Sequence, residues 1–190
     1  FTMSTTIWPT TPKKGRQAII AWGDQKRSGG VLGIKKDGLL FGEIGKTNIN
    51  HSKPLNSRHW YTVWMAYDAA EQTLSIGCLP LSAKHTEPTT IIETINLDMP
   101  PDRMSSPLLF GAEQRDCICS HFNGKIERPR IHNFALGVEN FPIARNERCF
   151  ADWDFAKEMS STRLIDNGSH ELNGRLVNLP ARAMTGSNWT

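Results

Sequence analysis

The segment Phe122-Asn-Gly-Lys-Ile-Glu-Arg-Pro-Arg-Ile-His-Asn-Phe-Ala-Leu136 constrains the fold more than any other part of the chain. Asn123-Gly124 reads as a tight-turn dipeptide, because both residues tolerate positive φ. Beyond it, Ile126, Arg128, Arg130 and His132 alternate with Lys125, Glu127, Pro129 and Ile131 at the two-residue period of a strand. A turn, an alternating strand and a short connection close a β-sandwich, and they say little about chemistry.

The rest of the chain supplies the other strands and no long amphipathic helix. Thr2 to Trp8 alternates Phe1, Met3, Thr5 and Ile7 against Thr2, Ser4, Thr6 and Trp8 until Pro9 stops it. Gln17 to Trp22 is apolar and ends at Gly23-Asp24. Val31 to Ile34 and Leu39 to Ile44 flank Asp37-Gly38, a preferred hairpin turn. His59 to Tyr67 and Thr73 to Cys78 form a second hairpin. Thr89 to Ile95, Leu108 to Glu113, Cys117 to His121, Phe150 to Phe155 and Arg175 to Leu179 are further strand candidates, with a helical turn after Ala135-Leu136 and an irregular tail from Pro180. Short strands joined by local turns predict an antiparallel two-sheet sandwich.

A chain of 190 residues suits one domain with a real core. A net charge of +3, with no basic run longer than Lys35-Lys36, argues against nucleic acid. No apolar stretch reaches the ~18 residues that span a bilayer, and the first residues are not a signal peptide, so a soluble chain without membrane association is expected. Cys78, Cys117, Cys119 and Cys149 show no zinc-ligand spacing. Cys117 and Cys119 sit on one side of a strand, about 6.6 Å apart by strand rise, near the limit of disulfide geometry. Reduced thiols and a cytoplasmic setting are expected. The sequons at Asn167 and Asn188 matter only in a secreted protein.

Catalytic constellations are scarce. Glu43, Glu71, Glu87, Glu93 and Glu127 read as solitary surface carboxylates, without the paired spacing of a glycosidase. Ser120-His121 adjoins Cys119, but neighbours on a strand face opposite sides, and no Gly-x-Ser-x-Gly elbow occurs. Ser28-Gly-Gly30 opens no helix and cradles no phosphate. Asp24, Asp68, Asp166 and Asn167 lie in loops where calcium is conceivable, yet turn formation is the better reading.

Phe1 to Pro9, His59 to Asp68 and Phe122 to Leu136 together resemble, in the right order, the concanavalin A-like lectin/glucanase superfamily in its laminin-G-like, jelly-roll form. The words WDF at 153–155, NLPAR at 178–182 and TGSNW at 185–189 are similar to the large (beta) subunit family of N,N-dimethylformamidase. In that family the resemblance implies a lectin-like sandwich preceding a separate catalytic domain. There a mononuclear iron held by tyrosines and a glutamate hydrolyses an amide, in a bacterial cytoplasmic hydrolase that converts dimethylformamide to dimethylamine and formate. It reaches only the non-catalytic part, so no cofactor is expected in this chain. Tyr61 and Tyr67, on the core face of one strand with Val63 and Met65, read as packing residues and not iron ligands.

The remaining candidate is a surface. Trp60, Thr62, Trp64 and Ala66 share the face opposite the core, and Trp8 lies opposite the core face of its own strand. An outer apolar face needs a cover: a glycan, a loop of this domain, or the catalytic domain and other subunits of an oligomer. Trp8, Trp60, Thr62 and Trp64 are thus the carbohydrate or domain-interface candidates, with the protein interface preferred. One sandwich is expected, residues 1–148 forming its core and 149–190 adding C-terminal strands that lead toward the catalytic domain.

Overall fold

The computed structural model describes residues 1–23, 29–81, 91–96, 107–136, 149–178 and 180–181, and among these there is no helix. Strands follow in the order β1 (Thr2–Pro9), β2 (Gln17–Trp22), β3 (Gly30–Ile34), β4 (Leu39–Ile44), β5 (Thr47–Pro54), β6 (Tyr61–Asp68), β7 (Thr73–Pro80) and β8 (Ile91–Asn96). Next come β9 (Leu108–Phe110), β10 (Glu113–Gln114), β11 (Ile118–Cys119), β12 (Gly124–His132), β13 (Ala151–Asp154), β14 (Arg163–Asp166) and β15 (Gly174–Arg175). An eight-stranded sheet, β15-β14-β13-β12-β1-β6-β7-β8, faces a five-stranded sheet, β5-β4-β3-β2-β9, and β10-β11 form a small ribbon. The pairs within these sheets are antiparallel, the two-sheet sandwich expected of the sequence.

The core is the meeting of two period-2 faces. Met3 and Ile7 of β1 and Tyr61, Val63, Met65 and Tyr67 of β6 pack with Leu32, Ile34, Leu40 and Ile44 of the other sheet. Gly42 marks a close approach of the sheets: a Cβ there would lie 2.6 Å from Ile76 Cγ2 and 2.9 Å from Met65 Sδ. Asp37-Gly38 makes the expected hairpin. Gly38 has φ 86°, and the Leu39 amide donates to Asp37 Oδ1 at 3.2 Å.

Three findings depart from expectation. Neither Asn123 nor Gly124 has positive φ. Gly124 instead opens β12 opposite Pro9, where a Cβ would lie 2.4 Å from the Trp8 carbonyl oxygen, so glycine is required for close approach and not for a turn. The alternation of β12 also breaks. Thr6 pairs with Glu127 but Ser4 pairs with Arg130, so β12 carries one extra residue, a bulge in which Arg128 takes φ 51°. Ile126 and Ile131, an odd number apart, therefore both reach the core. β5 had no expected counterpart, because Thr-Asn-Ile-Asn-His-Ser-Lys-Pro offers a single apolar side chain; its buried positions are Ile49 and His51.

β13 lies beside β12, with Arg130 opposite Asp152, and Trp153 joins the common core at 4.9 Å from the Phe110 ring. The last strand is shorter than expected, Gly174–Arg175. Asp24, Glu87, Thr89, the turn expected beyond Leu136, and the tail from 182 fall outside the described residues.

Candidate functional site

The outer face of the eight-stranded sheet holds the aromatic candidates. Trp8 on β1 is paired with Lys125 on β12, and Ile7 is paired with Tyr61, which brings Trp60 to the other flank of Trp8. Lys125 Nζ lies 5.0 Å from the centroid of the Trp8 ring and 6.0 Å from that of Trp60, so one ammonium group faces two half-buried indoles. Thr62 continues the face, opposite Thr6 and Leu79. Lys125 carried no signal in the sequence, because its placement follows from a pairing across more than a hundred residues.

Trp64 does not belong to this exposed set. It is 1% exposed and packs in a separate cluster with Leu79 and Leu136. The chain beyond β12 folds back over the sheet: the Leu136 amide donates to Thr2 Oγ1 at 2.8 Å, and Thr2 Oγ1 donates to the Phe134 carbonyl at 2.9 Å. At Trp64 the cover is a loop of this domain.

A second feature opens on the five-stranded sheet. A cavity of about 240 Å³ is lined by Trp22, Val31, Lys46 and Asn48 together with Glu43 and Glu113. Arg16 joins the two carboxylates. Its Nη1 and Nη2 donate to Glu43 at 2.8 and 2.6 Å, and its Nε and Nη2 donate to Glu113 at 2.9 and 3.0 Å, while the guanidinium stacks on Phe41 at 4.4 Å. Asn48 Nδ2 donates to Glu43 Oε1 at 2.8 Å and Arg115 Nε to Glu113 Oε1 at 3.1 Å. Burial pushes the Glu113 carboxyl up, but hydrogen bonds from Arg16 and Ser120 and the charges of Arg16 and Arg115 outweigh it and hold it below the ordinary glutamate value. Burial works against the Arg16 charge too, yet the two carboxylates raise its pKa. The lining is thus polar but internally neutralised. Glu43, expected to be a solitary surface carboxylate, is a member of this network.

The other candidates resolve into structural roles. Asp68 Oδ1 accepts from the amides of Ala70 and Glu71 at 2.9 and 3.2 Å, which closes the β6–β7 turn. Asp166 Oδ1 accepts from the amides of Asp152 and Gly168, both at 2.7 Å, and Oδ2 from that of Leu172 at 2.8 Å. Asn167 Oδ1 accepts from Lys157 Nζ. Tyr61 and Tyr67 do not fit an iron site: both are in the core cluster, and the Tyr61 hydroxyl accepts from the Asn56 amide at 2.9 Å. Burial, first among its causes, raises the Tyr61 pKa, the opposite of what phenolate ligation needs. The Ser120 side chain hydrogen-bonds to Glu113 and its Oγ lies 3.9 Å from Cys119 Sγ, and His121 bridges Ala18 along the backbone.

No protein-family model matches the chain. It is 28% identical over its whole length to the N,N-dimethylformamidase beta subunit of Paracoccus aminophilus and 25% identical to that of an Alcaligenes species, spanning 29% of each relative's length. Among solved structures, the CBM40 of a Ruminococcus gnavus IT-sialidase bound to α2,3-sialyllactose superposes with TM-score 0.59 at 16% identity, covering 73% of this chain and 78% of that one. A candidate carbohydrate-binding protein from Bacteroides ovatus gives TM-score 0.66 at 17% identity over 92% of this chain and 50% of its own. The structural likenesses show the fold, a two-sheet sandwich shared with these modules, and over its whole length the chain is similar to a stretch of the N,N-dimethylformamidase beta subunit.

Proposed function

We propose that this chain is the non-catalytic, lectin-like interaction domain of an amide hydrolase. The single observation that carries the reading is the match of the whole chain to a stretch of the dimethylformamidase beta subunit that makes up 29% of it. The reaction assigned to the parent is dimethylformamide and water to dimethylamine and formate, in a bacterial cytoplasm, with a mononuclear iron held elsewhere in the parent. Trp8, Trp60 and Thr62, with Lys125, form the face that meets the catalytic domain or another subunit. Trp64 supports that face from beneath its own loop. The test is direct: the purified 190 residues, supplied with iron(II) and dimethylformamide, release no dimethylamine, and turnover by this chain alone would overturn the reading.

Carbohydrate binding is the second reading, favoured by the sandwich's likeness to a sialyllactose-bound module. An aromatic platform beside hydrogen-bonding groups is the usual design of a sugar site. A glycan array with Trp60→Ala as control separates the two: specific binding lost in the variant supports a lectin, and an array without specific binding supports the protein interface.

A further inference from the structure

A thiol paired with an imidazole lies outside both sites. Cys149 lies two residues before the start of β13, half-buried, with Sγ 3.3 Å from Nε2 of His132, the fully buried last residue of β12. The contact is built by the fold. His132 is held in register with Thr2 and lies edge-on to the Phe134 ring at 5.6 Å. The pairing of Ala151 with Ile131 then fixes where Cys149 meets the imidazole. Arg128, on the bulge, lies close enough to Cys149 for the two charges to interact. A thiol that meets an imidazole nitrogen and a nearby guanidinium loses its proton more readily, and the thiolate is the nucleophile.

Among the described residues, the other three cysteines have no such histidine contact. Burial pushes the Cys78 thiol up to about 12. Cys119 has a serine hydroxyl as its neighbour. Cys117 is exposed and serves as an internal reference for the rate.

We propose that Cys149, activated by His132, is the reactive thiol of this chain and a site of covalent modification by small soft electrophiles. With iodoacetamide as the probe, the thiol proton passes to His132 Nε2, an S–C bond forms, the C–I bond breaks and iodide leaves. Among the described residues, the charged groups near the pair are Arg128 and Arg130 from β12 and Asp152 and Asp154 from β13; Asp152 pairs with both arginines, Arg128 Nη2 reaching its Oδ2 at 2.8 Å and Arg130 Nε its Oδ1 at 3.4 Å.

The experiment is timed alkylation of the native chain with iodoacetamide at pH 7, read peptide by peptide by mass spectrometry. One unit of pKa depression gives about tenfold more thiolate, partly offset by lower intrinsic nucleophilicity. Cys149 is therefore expected to react roughly three- to tenfold faster than Cys117. His132→Gln is expected to remove that advantage. Should this variant fail to fold, the native chain still decides through its pH profile. A Cys149 rate that levels off below about pH 8 supports the proposal. It is overturned by a Cys149 rate no greater than that of Cys117, by a folded His132→Gln variant with unchanged rate, or by a profile that climbs in parallel with Cys117 through pH 8.

Discussion

The Trp64 indole lies flat across Gly77 on the neighbouring strand, so close that a Cβ at 77 would sit 1.9 Å from Trp64 Cζ2. The pair explains how so large a side chain on an outer face becomes almost wholly buried. Gly77 opens the seat, Leu79 walls it, and Leu136 closes it.

Gly77→Ala forces the indole out of its seat. Overpacking of this kind costs about 1–3 kcal/mol, and Trp64→Ala, which empties the seat, about 3–5 kcal/mol. Urea denaturation of both variants checks the values, and a double variant losing less than the sum would show that the two act through one contact.

Trp60→Ala is expected to behave differently. Its indole is half-buried on the open part of the face, so truncation costs about 1–2 kcal/mol, and Lys125→Met about 0.5–1 kcal/mol from the lost cation–π contact. Thermal melts that show Trp60→Ala as damaging as Trp64→Ala would contradict the exposed placement of Trp60.

The Arg16 network predicts an acid limb to the stability curve. The Glu113 carboxyl is held below its ordinary value of 4.5 in the folded chain. Its contribution is therefore complete above that value and is lost as pH falls through the lower folded one. Stability measured by denaturant between pH 7 and 3 should fall more steeply for the native chain than for Glu113→Gln; equal slopes would remove Glu113 from the acid response.

Asp166 organises the loop after β14 by accepting three backbone hydrogen bonds, so Asp166→Ala orphans three amides at once. A loss of at least about 1.5–3 kcal/mol, the worth of a single hydrogen bond to a charged group, is expected. Added calcium should not raise the melting temperature of the native chain if these oxygens are already committed to amides, and a calcium-dependent rise would return Asp166 to the list of cation ligands.

Much of the architecture was legible because strands write themselves locally. The period-2 faces of β1 and β6, the Asp37-Gly38 turn and the hairpin ending in β7 each depend on neighbours a few residues apart. β5 escaped because a strand at a sheet edge can be polar at nearly every position, and Ile49 alone cannot announce a period. Trp153 to Phe155 and the stretch from Asn178 carry the similarity to the dimethylformamidase beta subunit in residues read in order.

The sequence by itself determined the sandwich, the apolar faces of β1 and β6, and the similarity to the dimethylformamidase beta subunit, since all three are carried by residues read in order. The tertiary structure alone decided the bulge at Arg128 that turns both Ile126 and Ile131 inward, the loop that covers Trp64, and the joining of Arg16 to Glu43 and Glu113, 27 and 97 residues away. It also brought Cys149 to His132. The physical reason is the same in each case: register and loop return are set by which strands pair, and pairing between distant segments is a property of the whole core, which no window of the chain contains.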